Sequence, residues 1–149
     1  MRFLGNIEAK TDQKGRVFLP ATFRKQLQAG GEEALIMRKD IHQRCLVLYP
    51  ESVWNRRVDE LRDRISEWDD AGQMVMRQYM KEAEVVTLDG NGRLLIPRRY
   101  LDMAGIEQTV RFIGMTDTIE IWAADKAETP FMTQEEFSAK LKEIMGGAK

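Results

Sequence analysis

The chain has 149 residues, with 23 Lys and Arg against 24 Asp and Glu, a formal net charge of −1 and 43% hydrophobic residues; that composition suffices for one shared core and at first argues against a polyanionic partner. No apolar run approaches the roughly 18 residues that span a bilayer, and the opening Met1-Arg2-Phe3-Leu4-Gly5-Asn6 has no apolar h-region for export. The lone Cys45 cannot form an intrachain disulfide, and the expectation is a cytoplasmic chain.

Phe3 to Lys10 ends in alternating apolar positions, Ile7 and Ala9, and leads into Thr11-Asp12-Gln13-Lys14-Gly15. Asp at the head and Gly at the close predict a type I turn with a left-handed glycine, a short hairpin link with Arg16–Leu19 as the return strand. Pro20 opens a short helix over Ala21–Leu27, which Gly30-Gly31 stops. Strands follow at 34–38 and 44–49. From Pro50 to Ala83 the pattern is helical: Trp54, Val58, Leu61, Ile65 and Trp68 fall on one stripe, Asp69–Gly72 interrupts it, and Met74–Lys81 resumes. Glu84–Leu88 is again a strand, Asp89-Gly90-Asn91-Gly92 a turn and Arg93–Ile96 a return strand. Pro97 opens a helix to Ala104, and strands follow at 109–114 and 118–122. Residues 125–132, with Pro130, read as a linker. A last helix begins at Thr133 with Glu136 as its capping box, and its spacing predicts burial of Phe137, Leu141 and Ile144.

The order of elements is therefore written twice. Asp12-Gln13-Lys14-Gly15-Arg16-Val17-Phe18-Leu19-Pro20 matches Asp89-Gly90-Asn91-Gly92-Arg93-Leu94-Leu95-Ile96-Pro97 at a shift of 77, which marks an internal duplication. At the last strand the shift is 73 (Tyr49 to Trp122), so the second copy is four residues shorter, a deletion expected in the links. The expected segments are 1–50 (first module), 51–83 (central helices), 84–124 (second module) and 125–149 (linker and C-terminal helix). Nine Lys/Arg against five Asp/Glu make the first module the basic one, and the remaining segments are mildly acidic.

Turn chemistry requires Asp and Gly but not the Arg that follows them. A guanidinium fixed at the start of a strand can bind a phosphate by two parallel hydrogen bonds or reach guanine in a major groove. Asp12 and Asp89 would cap turn amides or fix the arginine rotamer. Lys10, Lys14, Arg24 and Lys25 surround Arg16 in the first copy; Asn91, Arg98 and Arg99 accompany Arg93 in the second, where Leu101 and Asp102 replace the Arg24-Lys25 pair. Positive charge at a helix start, as at Arg98 and Arg99, opposes the macrodipole and hints at an external anion. Nothing else competes strongly. His42 stands alone in a polar link, without the Cys or carboxylate cluster a metal would need. Cofactor fingerprints and a nucleophile elbow are absent. A hydrolase built on Asp12 and Asp89 would need both carboxylates across one cleft. The helical Trp54–Trp68 stripe leaves open a scaffold or antitoxin-like protein that binds another protein.

The opening Phe3-Leu4-Gly5, the run Asp12 to Arg16 with Leu19-Pro20 and Phe23-Arg24, and Asp89 to Arg93 with Ile96-Pro97 resemble the MraZ family of bacterial transcriptional regulators, over Phe3 to about Trp122. The resemblance implies a mainly β fold with α (α+β): two fused AbrB-like half-modules in a small swapped-hairpin barrel, with added central and C-terminal helices. It implies a ring-shaped homo-oligomer that binds double-stranded DNA at repeated promoter boxes of a division and cell-wall gene cluster, usually as a repressor on the nucleoid. It implies DNA contacts from Lys14, Gly15, Arg16, Arg24, Lys25, Asn91 and Arg93, on loops shaped by Asp12, Asp89 and Gly92, with the first loop weighted above the second. No enzymatic activity, cofactor, metal or membrane partner is implied. Avidity in such a ring would offset the weak charge of one subunit.

Overall fold

A computed structural model describes residues 1–124 and 130–146. In chain order the elements are β1 (Asn6–Lys10), β2 (Arg16–Phe18), α1 (Ala21–Ala29), β3 (Leu35–Lys39), β4 (Leu46–Pro50), α2 (Glu51–Asp63), α3 (Asp70–Lys81), β5 (Ala83–Val86), β6 (Arg93–Leu95), α4 (Arg98–Ala104), β7 (Thr109–Met115), β8 (Thr118–Ala123) and α5 (Gln134–Gly146). Pairs of strands are separated by helices in an α+β arrangement. The strands make one antiparallel sheet in the order β1-β7-β8-β4-β3-β5 and a two-stranded ribbon, β2–β6. None of the helices among the described residues is long and apolar enough to cross a membrane.

Each half gives its first two strands to the other half. The turn at 12–15 closes, with the Asp12 amide donating to the Arg16 carbonyl, but β2 does not return along β1 as a simple hairpin would. Instead β1 pairs with β7, β5 with β3, and β2 with β6. The registers obey an internal two-fold. It passes between Val17 and Leu94, which face each other in the ribbon, and between Val47 and Glu120 at the β4–β8 junction. Ala9 opposite Val110 and Val86 opposite Leu35 are the same contact seen from the two halves. The shift is thus 77 at β1 and β5, 75 at β3 and β7, and 73 at β4 and β8. The four-residue deletion is split into two pairs, one before the third strand and one after it.

Alternation along the strands sorts the core onto the sheet's two faces. Leu35, Met37, Leu46, Leu48, Val110, Phe112, Ile119 and Ile121 face inward. There they meet Val17 and Leu94 from the ribbon, Phe23 and Leu27 from α1, and Tyr100, Leu101 and Ala104 from α4. Pro20 and Pro97 stand at the N-caps of α1 and α4, where a missing N–H costs nothing. The other face of β3–β4 carries Ile36, Val47 and Tyr49 beneath α2 and α3. Trp54 stacks on Tyr79 at 5.2 Å between ring centroids and meets Tyr49 edge-on. The corresponding face of β7–β8 is an open groove lined by Ile113, Met115, Trp122, Pro130 and Phe131.

Two expectations about the helices need correction. α2 ends at Asp63 rather than continuing to the Asp69 break, and Asp69 is the cap of α3, its carboxylate accepting from the Ala71 amide. Trp68 therefore sits in the link, off the helical stripe, and is 89% exposed. The capping box at Thr133 and Glu136 forms, yet α5 buries nothing among the described residues: Phe137, Leu141 and Ile144 lie exposed. Residues 125–129 of the expected linker lie outside the described residues.

Leu94, on the two-fold, is nearly inaccessible and surrounded by both halves. Leu94→Ala is expected to cost about 2–5 kcal/mol in urea unfolding, as buried Leu truncations do. A cost under about 1 kcal/mol would show that the ribbon is peripheral to the core.

Candidate nucleic-acid interface

Both turns are built by one carboxylate doing three jobs. Asp12 Oδ1 accepts the amides of Lys14 and Arg16, each at 2.9 Å, while Oδ2 accepts Arg16 Nε at 2.6 Å. Asp89 repeats this with Asn91 and Arg93: both amides at 2.9 Å to Oδ1, and Nε at 2.9 Å to Oδ2. The amides of Gly15 and Gly92 donate to the carbonyls of Asp12 and Asp89, each at 3.0 Å. These glycines have φ of +88° and +83°, a region that penalises any Cβ. A side chain at 15 would also stand 2.7 Å from the Ile96 carbonyl oxygen.

The chemistry of the clamp follows from its geometry. Hydrogen bonds from the Arg16 amide, and likewise from the Arg93 amide, are the chief reason that Asp12 and Asp89 titrate below the ordinary carboxylate value. Each arginine is gripped by Nε, which fixes the plane of the guanidinium. Its two terminal nitrogens make no hydrogen bond among the described residues, so the ends that recognise an oxyanion or a base edge remain available.

The ribbon brings the two arginines together. Arg16 lies opposite Leu95, and Phe18 opposite Arg93. With Val17 and Leu94 pointing into the core, period-2 alternation turns Arg16, Phe18, Arg93 and Leu95 onto one outer face. The arginines occupy diagonal corners of that face, separated along the ribbon by two strand positions, about 7 Å. Phe18 and Leu95 are 55% and 51% exposed, and the Arg93 guanidinium lies 5.8 Å from the Phe18 ring centroid. The turns leave opposite ends of the ribbon, and each carboxylate is bonded to its own turn. Asp12 and Asp89 thus do not form the shared-cleft pair that a hydrolase would need.

The other expected residues distribute unequally. Lys14 and Asn91 are exposed at corresponding places in the two turns, and Lys25 is exposed on α1. Arg24 departs from its expected place in the cluster about Arg16: its guanidinium lies across Gly92, at the second tip. The two-fold explains this, because Leu101, its counterpart on α4, lies across Gly15 at the first tip. Arg98 lines an open groove beside the first tip with Asp12 and Gly15, whereas Arg99 is paired with Glu84 at 3.0 Å. Phe18 and Leu95 were readable as neither core nor site from their apolar character. The signal was positional: in a three-residue strand whose middle side chain is buried, the flanking ones face out.

His42 is exposed in the β3–β4 link, its amide donating to Asp40. Asp40, Cys45 and Glu120 offer ligand atoms within 4.8 Å of one another. Burial, reinforced by the two carboxylates, pushes the Cys45 thiol far up.

The chain matches the family model described as "MraZ protein, putative antitoxin-like" over residues 2–77 and 79–145. It is similar to a protein of Phocaeicola vulgatus named "Transcriptional regulator MraZ", with 62% identity over 146 residues, 98% of this chain and 95% of the relative. A protein of the same name from Bacteroides thetaiotaomicron is 60% identical over 145 residues, covering 97% and 93%. The similarity extends to one from Anaeromyxobacter sp., at 35% over 134 residues and 90% of each chain.

Because Asp12 and Asp89 are held below 3.8, the clamps are intact at neutral pH and are lost as pH falls through those lowered values. In an NMR titration, the Arg16 and Arg93 amide shifts are expected to move with midpoints below 3.8. Asp12→Asn keeps an acceptor for the turn amides but none for Arg16 Nε. It should abolish the acid transition at Arg16 while leaving that at Arg93; an unaltered Arg16 titration would refute the clamp.

Proposed function

The chain belongs to the MraZ family, and we propose that it is a transcription regulator that binds double-stranded DNA through the outer face of the β2–β6 ribbon and the two tips. The observation that carries this reading is the pair of guanidinium groups clamped at Nε, terminal donors outward, on one exposed face. A major groove admits a two-stranded ribbon, and a fixed guanidinium pairs with O6 and N7 of guanine or with a phosphate. Lys14, Gly15, Lys25 and Asn91 line the approach and position the backbone, while Asp12, Asp89 and Gly92 shape the tips. The relatives' name, "Transcriptional regulator MraZ", supports the class of function and speaks for a role other than catalysis.

One subunit offers few contacts. We propose that several assemble into a homo-oligomeric ring, whose linked tips engage repeated boxes and multiply weak individual affinities. The exposed apolar stripe of α5, with Phe137, Leu141 and Ile144, supports an interface between copies. In the finer reading, drawn from the family resemblance, the protein represses a division and cell-wall gene cluster on the nucleoid. Modules 1–50 and 84–124 then hold DNA, and 51–83 with 125–149 hold neighbouring subunits. The same α5 stripe, together with the antitoxin-like family description, favours as a second reading a scaffold for another protein.

Arg16→Ala and Arg93→Ala are each expected to weaken binding to a promoter duplex about tenfold or more, the loss of about 1–3 kcal/mol that a bidentate contact carries. Folding and oligomer size should not change. Fluorescence anisotropy across a salt series should give the wild type a log–log slope of about −4 or steeper, at roughly 0.9 per phosphate neutralised, and a preference over scrambled DNA. Undiminished DNA affinity in the double variant would overturn the reading. Retention of a protein partner by a chain without DNA affinity would favour the scaffold.

A further inference from the structure

Two apolar surfaces of the chain are left open among the described residues, and they match. The first is the stripe of α5, where Phe137, Leu141 and Ile144 span seven positions (144 − 137) and every residue of Gln134–Gly146 is exposed. The second is a groove of about 430 Å³ between α2 and α3, lined by Val58, Ile65, Met76 and Met80 together with Arg62 and Gln73. Val58 and Ile65 also stand seven positions apart (65 − 58). Stripe and groove wall therefore both run about 10.5 Å, at 1.5 Å per residue.

The groove is a standing feature of the fold, because α2 and α3 are pinned to each other twice. Near their link Ile65 packs onto Gly72, where a Cβ would stand 2.5 Å from Ile65 Cγ2. Towards the sheet, Trp54 and Tyr79 stack at 5.2 Å with their planes 2° apart. In the link itself Trp68 is 89% exposed, next in sequence to Glu67, which also lines the groove. A solvated tryptophan beside an apolar groove is an anchor without its partner.

Resting on the reading that copies of the chain assemble, we infer that α5 of one copy docks in the α2–α3 groove of the next. Its stripe covers Val58, Ile65, Met76 and Met80, beside Trp68, and completes a three-helix cluster from two chains. Helix and groove of equal length are written in one sequence, which selects a second copy as the occupant. The two are different surfaces, so the contact is heterologous: each copy gives an α5 and receives one. One face of a helix about 20 Å long is a small contact beside the roughly 800 Å² per partner of a stable interface. Giving and receiving doubles what each copy buries. An open dimer would leave one stripe and one groove in water, whereas a closed ring leaves neither.

The test is sedimentation velocity of the full chain over a concentration series, for wild type, Leu141→Arg, Met80→Arg and an equal mixture of the two variants. Both side chains are exposed, at 46% and 44%, so the fold tolerates a charge there, and far-UV circular dichroism checks it. Each variant alone should need about tenfold or more protein to assemble, the factor that one central contact carries. Mixed, at concentrations where each alone is monomeric, they should give a 1:1 dimer and nothing larger. Leu141→Arg keeps a sound groove and Met80→Arg a sound α5, so one contact survives. Trp68→Ala should weaken assembly with an unchanged circular dichroism spectrum. An assembly of wild-type size and strength in Leu141→Arg or Met80→Arg overturns the inference and leaves the ring reading standing on other contacts. Two monomeric variants that fail to complement each other also overturn it, by giving helix and groove separate partners. A wild type that is monomeric at every concentration overturns both.

Discussion

The exchange of strands across the internal two-fold is the constraint on which the rest of the molecule depends. Neither half can complete its own sheet. β1 and β5 find ladder partners only in the opposite half, and β2 and β6 find them only in each other. A backbone N–H or C=O left unpaired in the interior is costly, so the two halves fold together or not at all. The functional geometry is a by-product. Pairing β2 with β6 about Val17 and Leu94 sends both middle side chains inward and sends Arg16 and Arg93 to one outer face. Had each turn returned along its own strand, the arginines would belong to two separate hairpins with no fixed relation.

Symmetry of the backbone has not been kept in the side chains, and the differences fall where the halves meet unlike surroundings. Behind β3–β4, the back face is sealed by Trp54 and Tyr79. Buried Arg38 there lies 4.6 Å over the Tyr79 ring and donates to the Tyr79 carbonyl and to Glu82. Behind β7–β8, Trp122 donates to Glu120, and Arg111 pairs with Glu8 while lying 5.9 Å from the Phe131 ring. One half has thus acquired a second small core and the other a wetter surface. At the tips the hydrogen bonds of the two turns repeat while side chains diverge, Lys14 against Asn91 within the turns and Arg24 against Leu101 across their glycines.

Much of this was legible in the sequence because turn chemistry is local. Asp, Gly and Arg at fixed offsets specify the clamp, and their recurrence specifies the duplication. The strands and both short helices followed from alternation and from Pro20 and Pro97. Pairing between halves was not legible from the residues, since β2 along β1 and β2 along β6 satisfy the same pattern; only the family resemblance pointed to it. Arg24 was misplaced for the same reason: proximity in sequence puts it near Arg16, and the two-fold puts it on Gly92. Trp68 fell off its stripe because periodicity carries no information about where a helix stops. Asp69, a capping residue, held that information. α5 shows the reverse failure, for its apolar spacing is real and yet nothing among the described residues covers it.

The clamps also bear on how a chain of net charge −1 would meet DNA. An ionised Asp beside each Arg makes every clamp close to neutral at a distance, and the field of such a pair decays as that of a dipole. Steering from afar is therefore weak at Arg16 and Arg93. In contact the balance reverses, because the carboxylate is engaged by amides and Nε while the terminal donors keep their full directionality. A clamped arginine is thus suited to discriminating among base edges rather than to accelerating encounter. Long-range attraction falls instead to exposed cations without a carboxylate partner among the described residues, such as Lys14, Lys25 and Arg98. On the proposed reading, the acidic residues of the tips are part of the recognition device: they remove indiscriminate attraction and leave geometry to choose the sequence.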